Sequence, residues 1–328
     1  MDISCAFPTS LSSPRHAAVA EELGYKRAWF YDNAPVSPDV WMMLALAAEA
    51  TSTIGLGPGV LNPGLRHPMA NASGAAALAA LAPGRVAVGF GTGFGQRVLG
   101  QRRQLAWSYV EEYVSVFRGL LQGETVVWDG AKIRMLHAEG HAPPRPIELP
   151  IFIAALGPKG DAVARRLGDG LYLIGVVPPF AKEHETVAML CQGTVLDPDE
   201  DVHSERVRAA AGPGTMASYH YLFPSREAIS QLPGGEAWLA AIDRHPEDER
   251  HLAASEQTFV GLNEADQAAW DAGAANIVEH LTVTGSPSRV KERIGELAEQ
   301  GVTEIVYQPA GPDIPRELER FFSAAQGG

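Results

Sequence analysis

The stretch IGLGPGVLNPGLRHP, Ile54 to Pro68, begins like a buried strand, with Ile54, Leu56, Val60 and Leu61. Gly55, Gly57, Pro58, Gly59, Pro63 and Gly64 interrupt it. Gly and Pro weaken strand pairing and mark a bulge or a close approach of backbone. Pro68 then opens an alanine-rich helix that runs to Leu81. The stretch is therefore one strand–turn–helix unit with an unusual strand. Whether its neighbours repeat the unit decides the fold.

They do. On the N-terminal side, Ile3 to Phe7 reads as a strand, and Ser13-Pro14 starts a helix that stops at Gly24. RAWFY, Arg27 to Tyr31, is the second strand, with Asp32 at its C-terminal end and a helix from Asp39 to Ala50. On the C-terminal side, RVAVGFG, Arg85 to Gly91, is the fourth strand, and Ala106 to Leu121 a long amphipathic helix. Strands alternating with helices imply parallel pairing with right-handed crossovers. Thr125 to Leu136 reads as a hairpin about an Asp129-Gly130 type I′ turn, outside the main sheet. Ile151 to Leu156, Gly170 to Gly175 and Val187 to Leu196 continue the strand series. The region from about 200 to 275 reads as an irregular helical insertion with polar turns such as Gly212-Pro213-Gly214. A helix capped by Ser286, a strand at Glu304 to Gln308 and a helix from Ile314 to Ala325 close the chain. Nearly eight strands, each followed by a helix, predict a (β/α)8 TIM barrel forming a single domain over 1–328; an open doubly wound sheet is the alternative.

Composition narrows the function. The chain has 328 residues, 46% hydrophobic and 20% charged, enough for a sizeable core. A net charge of −13 argues against a general nucleic-acid binder. The two cysteines, Cys5 and Cys191, have no metal or disulfide spacing, which points to a reducing cytoplasm. MDISCAF has no basic region followed by an apolar run, so no signal peptide is read there, and no run of 18 apolar residues suggests a membrane span.

GFGTGFG, Gly89 to Gly95, invites a dinucleotide reading, but Gln96 stands where the last glycine of G-x-G-x-x-G belongs. No P-loop, H-E-x-x-H or G-x-S-x-G pattern occurs, and the ten histidines lack metal spacing. His184 and His203, flanked by acids, read as solvated loop residues. In a barrel, chemistry sits at the C-terminal strand ends. That selects Asp32 and Asn33 after strand two, Gly57 to Asn62 after strand three, and Gly91, Thr92 and Gly93 after strand four. Leu156, Gly157, Pro158 and Lys159 follow strand five, and Gln308 and Pro309 the last strand. Each has a purely structural reading too: Asp32 as a helix cap, Asn33 as a turn residue, the glycines as tight βα turns. The strand-five turn feeds a helix N-terminus, whose free N–H groups and dipole suit a phosphate, with Lys159 adding charge.

Taken together, AWFYDN (Ala28 to Asn33), DVWMMLALAAEATSTIGLGPGVLNPGLRHP (Asp39 to Pro68), PGRVAVGFGTG (Pro83 to Gly93), IFIAALGPKG (Ile151 to Gly160) and TGSPSRVKERIGELAEQGVTEIV (Thr284 to Val306) resemble the luciferase-like monooxygenase superfamily. LGPGVLNPGLRHP is similar to the matching segment in the branch that uses the deazaflavin coenzyme F420: the methylenetetrahydromethanopterin reductases and the F420-dependent glucose-6-phosphate and alcohol dehydrogenases. The resemblance implies a TIM barrel with the deazaflavin in its mouth and a non-prolyl cis peptide at Gly59–Val60 behind the ring. It implies that Asp32 lies near the ring's polar edge, that Gly57, Gly59 and Val60 lie behind the ring with Asn62 also binding the cofactor, and that Gly91, Thr92 and Gly93 form the loop beside the phosphate-binding turn. Leu156, Gly157, Pro158 and Lys159 would hold the phosphate.

The chain also departs from that pattern. The dehydrogenases place His after the aspartate where this chain has Asn33, and Asn cannot act as a general base. The sugar-phosphate enzymes have Glu after Gly-Thr-Gly where this chain has Phe94, which argues against a glucose-6-phosphate substrate. Phe30, Trp41, Phe94 and Trp107 are candidate walls of a more apolar pocket.

Three readings follow. The first is an F420-dependent oxidoreductase acting on a small-molecule substrate, with Asp32, Asn33 and His67 as candidate catalytic residues and no metal. The second is an FMN-dependent monooxygenase on the same fold, and the third a non-catalytic barrel subunit. The alanine-rich third helix suits a homodimer interface.

Overall fold

The computed structural model describes residues 1–93 and 103–327. Phe94 and Gln96 lie outside the described residues. Strand β1 (Asp2–Phe7) leads to α1 (Ser13–Leu23), β2 (Arg27–Phe30) to α2 (Val40–Ala50), β3 (Gly55–Pro58) to α3 (Pro68–Leu81), and β4 (Val88–Phe90) to α4 (Trp107–Gln122). A separate hairpin, β5 (Val126–Trp128) and β6 (Ala131–Ile133), follows. Asp129 and Gly130 both have positive φ, 51° and 76°, as a type I′ turn requires. Then come β7 (Ile151–Ile153), α5 (Pro158–Leu167), β8 (Gly170–Ile174) and β9 (Val187–Gln192). Helices α6 (Glu205–Leu222), α7 (Arg226–Ser230), α8 (Gly235–Ile242), α9 (Arg250–Ala253), α10 (Glu264–Asp271), α11 (Val278–Leu281) and α12 (Pro287–Glu299) precede β10 (Glu304–Gln308) and α13 (Ile314–Gln326).

The main sheet has eight strands in the order β3-β2-β1-β10-β9-β8-β7-β4. Its two ends, β3 and β4, are joined by the parallel bridges Leu56↔Val86 and Leu61↔Phe90. The sheet closes on itself as a (β/α)8 barrel, so the open-sheet alternative does not hold. Between β8 and β9 the expected helix is only a short 3-10 turn, Pro179–Glu183.

The chain packs as two compact units, each described by itself. Among the described residues the first comprises 1–93, 103–189 and 300–306. Its interior is centred on Trp29, fully buried and edge-on to Phe152 and Tyr172, with ring centroids at 5.2 and 5.4 Å. Burying a side chain of that size is worth about 3 kcal/mol. Below it, Arg27 lies 5.0 Å from the Trp29 ring and 3.5 Å from the buried Glu304 carboxylate. Opposite charge and the indole face thus offset the desolvation of the guanidinium.

The second unit, 190–299 and 307–327, has its own core around Trp238, Tyr219, Met216 and Ile242. Gly212-Pro213-Gly214 is not a polar turn. It lies inside α6, buried, and a Cβ on Gly214 would meet the Gln192 side chain at 2.7 Å. Proline costs a helix interior about 3 kcal/mol, but residues 210–216 of α6 are all buried, and tertiary packing offsets the local penalty. The predicted strand Val187 to Leu196 ends early, at Gln192. Gly193 takes φ 136° and bends the chain before Val195 bridges to Gly285.

Candidate functional site

The odd strand at Ile54 to Leu61 has a geometric cause. Leu56 and Leu61 pair with Val86 and Phe90, so β3 carries one more residue than β4 over the same span, a bulge. The peptide Gly59–Val60 within it is cis. The glycines make room for neighbours: a Cβ on Gly57 would lie 1.8 Å from the Ala87 carbonyl oxygen, and one on Gly59 2.9 Å from Trp29. The inward side of the bulge is therefore filled by the protein's own indole. The glycines after β4 interlock with the same loop. A Cβ on Gly91 would meet Val60 at 3.0 Å, and one on Gly93, at φ 79°, would meet the Asn62 amide at 2.5 Å. Thr92, between them, is half-buried, and its carbonyl accepts from Leu105 N–H at 2.8 Å.

Asn62 links this loop to the end of β2, because its N–H donates to Asp32 Oδ2 at 3.2 Å. Arg66 Nη1 donates to Asp32 Oδ1 at 2.6 Å. Asp32 is therefore not a helix cap. Asp39 caps α2, accepting from Trp41 and Met42 N–H, while its other oxygen takes Arg66 Nη2 at 2.7 Å. Burial raises the Asp32 carboxyl above its ordinary value, against the pull of Arg66 and the Asn62 N–H. At Asp39, burial is outweighed by Arg66 and the α2 N–H groups, which hold the carboxyl below its usual range. Arg66 stood in the opening stretch, yet nothing local marked it, since its partners lie far back in the sequence.

Asn33 Oδ1 is buried and has no hydrogen-bond partner among the described residues. A buried carboxamide oxygen left so is costly and suits a donor on a ligand. His67 is exposed, and its Nδ1 accepts from Met69 N–H as the N-cap of α3. The structure thus joins Asp32, Asn62, Val60, Gly91 and Gly93 through contacts, while His67 serves a helix terminus.

The turn after β7 adjoins this set, since a Cβ on Gly91 would lie 3.4 Å from Ala154. Gly157 caps α5 in extended backbone, with no side-chain cap and open space where its Cβ would point. Lys159 is exposed and makes no ion pair among the described residues. Gly160 packs under Trp107, where a Cβ would come within 2.5 Å. The result is an uncapped helix start with a free cation beside it, a suitable place for an anion. Asp161 in the same turn is already engaged, hydrogen-bonded to His184 Nε2 at 2.7 Å and ion-paired with Arg165 at 3.0 Å. His184 is therefore not solvated: the proline-rich turn after β8 packs Phe180 against its ring and seats it beside α5.

Of the expected aromatic walls, the three among the described residues are engaged in packing. Phe30 is core, edge-on to Phe7. Trp41 donates to Asn71 and covers Gly74, and Trp107 covers Gly160. Among the described residues no group of three or more His, Cys, Asp or Glu is placed to hold a metal ion.

The family model described as luciferase-like monooxygenase matches residues 12–304. The chain is 28% identical to the 5,10-methylenetetrahydromethanopterin reductase of Archaeoglobus fulgidus, over 93% of this chain and 91% of that protein. It is 26% identical to the F420-dependent glucose-6-phosphate dehydrogenase of Beutenbergia cavernae, over 93% of this chain and 89% of that one. The solved coenzyme F420-dependent tetrahydromethanopterin reductase of Methanopyrus kandleri shares the fold, with a TM-score of 0.68 at 19% identity over 99% of both chains. A closed barrel with a bulged third strand, matched by this model across most of its length, places the chain in the luciferase-like monooxygenase family.

Proposed function

We propose that this protein is an F420-dependent oxidoreductase that passes a hydride between the deazaflavin and a small organic substrate. The observation that carries the reading is the uncapped, cation-bearing turn at Gly157 to Lys159, in a chain similar over 93% of its length to an F420-dependent dehydrogenase. The residues present suit the group. Gly157 leaves open space at a helix N-terminus, and among the described residues Lys159 makes no ion pair and Asn33 Oδ1 has no hydrogen-bond partner. Bound F420 supplies hydride transfer at its C5, since the cofactor carries the difficult chemistry.

The protein's own residues orient and exclude. Gly157, Pro158 and Lys159 hold the phosphate, with Leu156 beside them. Asp32, fixed by Arg66 and Asn62, would stand near the ring's polar edge. Asn33 accepts a hydrogen bond there but takes no proton, so the general base of the dehydrogenases has no counterpart at this position. The backbone of Gly57, Gly59 and Val60 would form the wall, packed against Trp29 at Gly59, and Gly91, Thr92 and Gly93 would form the loop beside the phosphate turn. The same reading includes a single catalytic domain, a cytoplasmic location and a homodimer using α3. No helix among the described residues is long and apolar enough to cross a membrane.

The test is a fluorescence titration of the purified protein with F420 and, separately, FMN. Micromolar binding of F420 with FMN at least tenfold weaker is expected. The reverse order supports the FMN monooxygenase instead, and binding of neither supports a non-catalytic barrel.

A further inference from the structure

Arg66 holds Asp32 and Asp39 with its guanidinium, and its backbone carbonyl is held as well. Tyr113, on α4 and fully buried, donates its hydroxyl to that carbonyl at 2.9 Å. The same hydroxyl oxygen accepts from Nδ2 of Asn71, on α3 and fully buried, at 2.7 Å. Asn71 Oδ1 in turn accepts from Trp41 Nε1, on α2, at 2.9 Å. Trp41 N–H donates to Asp39 Oδ1 at 2.9 Å, and Asp39 Oδ2 accepts from Arg66 Nη2 at 2.7 Å. The hydrogen bonds thus close a circuit that leaves Arg66 by its carbonyl and returns to its side chain.

The direction of each bond in the circuit is fixed. An indole N–H only donates, and a peptide carbonyl only accepts. Asn71 must therefore present Oδ1 to Trp41 and Nδ2 to Tyr113, and the one proton of the Tyr113 hydroxyl goes to Arg66. Burial raises that hydroxyl above its ordinary value, so it stays a donor. A fully satisfied buried network of this kind specifies one arrangement. Arg66 itself belongs to no helix or strand, so side-chain contacts must shape its loop. The guanidinium nitrogen outside the circuit, Nη1, is the one that donates to Asp32 Oδ1 at 2.6 Å.

We infer that Tyr113 and Asn71 are positioning residues: they fix Arg66, and Arg66 in turn sets the Asp32 carboxylate that serves the deazaflavin site. The inference rests on the oxidoreductase reading only for what Asp32 serves. Among the described residues, the titratable groups facing Asp32 are Arg66 from the loop after β3, Asp39 from the start of α2 and Tyr113 from α4. Of these only Arg66 is a cation, so loosening it withdraws the charge that favours an ionised Asp32.

The test is a pH titration, by NMR, of isotopically labelled aspartate carboxyls in the cofactor-free protein. Asp32→Asn and Asp39→Asn assign the two signals. Tyr113→Phe keeps the aromatic ring and removes only the hydroxyl. We expect the Asp32 midpoint to rise in this variant, and that of Asp39 with it, because both lean on Arg66. Trp41→Phe breaks the circuit at its far side; it should raise both midpoints by less and serves if Tyr113→Phe misfolds. Lowered stability with both midpoints unmoved gives Tyr113 a structural role only and overturns the inference, as does a fall in the midpoints. Fluorescence titration with F420 then tests what Asp32 serves. Tyr113→Phe should bind F420 roughly two- to tenfold more weakly, the worth of one weakened hydrogen bond. Equal affinity with the midpoints raised overturns the link between the circuit and the cofactor. If the wild type binds no F420, raised midpoints keep the positioning of Asp32 and remove the oxidoreductase reading instead.

Discussion

Arg66 binds two carboxylates at once, Asp32 through Nη1 at 2.6 Å and Asp39 through Nη2 at 2.7 Å. Asp32 ends β2 with its side chain 1% exposed, and Asp39 caps α2. One guanidinium from the loop after β3 therefore ties the β2 end to the start of α2. Its planar fork suits this bridging better than a lysine ammonium does.

Arg66→Ala strands the Asp32 charge in the interior and should cost about 3 kcal/mol. Asp32→Asn in the same background removes that charge and should restore most of the loss. A double-mutant cycle in urea measures the coupling. Additive effects of the two changes would show that the pair is not coupled.

The glycines divide by what their missing Cβ would meet. Gly57→Ala drives a methyl into the Ala87 carbonyl, 1.8 Å away, and should destabilise by about 3 kcal/mol or more. Gly157→Ala meets nothing and keeps an allowed extended backbone, so its cost should stay within about 1 kcal/mol. Thermal unfolding of the two variants side by side checks the contrast, and equal losses would contradict it.

Glu21 gathers three consecutive N–H groups, Ser52, Thr53 and Ile54, at 3.0, 2.6 and 2.7 Å. Against the burial that would raise it, these donors hold its carboxyl down to about 2. A depressed carboxyl stabilises the fold above its unfolded value of 4.5 and loses that stabilisation as pH falls toward 2. Glu21→Gln should cost about 1 kcal/mol at neutral pH, allowing for solvent screening. The gap between variant and wild type in urea midpoint should close between pH 4.5 and 2; a gap independent of pH would rule out the charge as its source.

Lys159 is exposed, so Lys159→Ala should leave the melting temperature unchanged. F420 affinity should drop roughly five- to tenfold, while the deazaflavin nucleus lacking the phosphate binds as before. Equal losses for both compounds would place Lys159 away from the phosphate.

In the second unit, the fully buried Asp266 accepts from Trp238 Nε1, His220 Nε2 and Asn263 N–H. Asp266→Ala orphans three donors in the core and should cost about 3 kcal/mol or more. Loss of the second unit's near-ultraviolet signal, with the first unit's aromatics undisturbed, is the expected readout.

Much of the barrel was legible because its signals are local. Ser and Pro before helices, Gly after them, the Asp129-Gly130 turn and the strand–helix alternation each act over a few residues. Where the reading erred, the deciding contacts were remote. Gly212-Pro213-Gly214 is helical because α6 is buried, and His184 is paired because the turn after β8 returns over α5.

By itself, the sequence determined the βα series and the family it resembles, and it pointed to candidate residues at the strand ends. Only the tertiary structure decided that Asp32 is held by Arg66 and that His67 caps a helix. It also decided why IGLGPGVLNPGLRHP is poor in strand formers: Trp29 and the Ala87 carbonyl occupy the space that side chains on Gly57 and Gly59 would need. The physical reason is the range of each effect. Propensity and capping act within a turn of chain, whereas ion pairs, close packing and exposure depend on residues that only folding brings together.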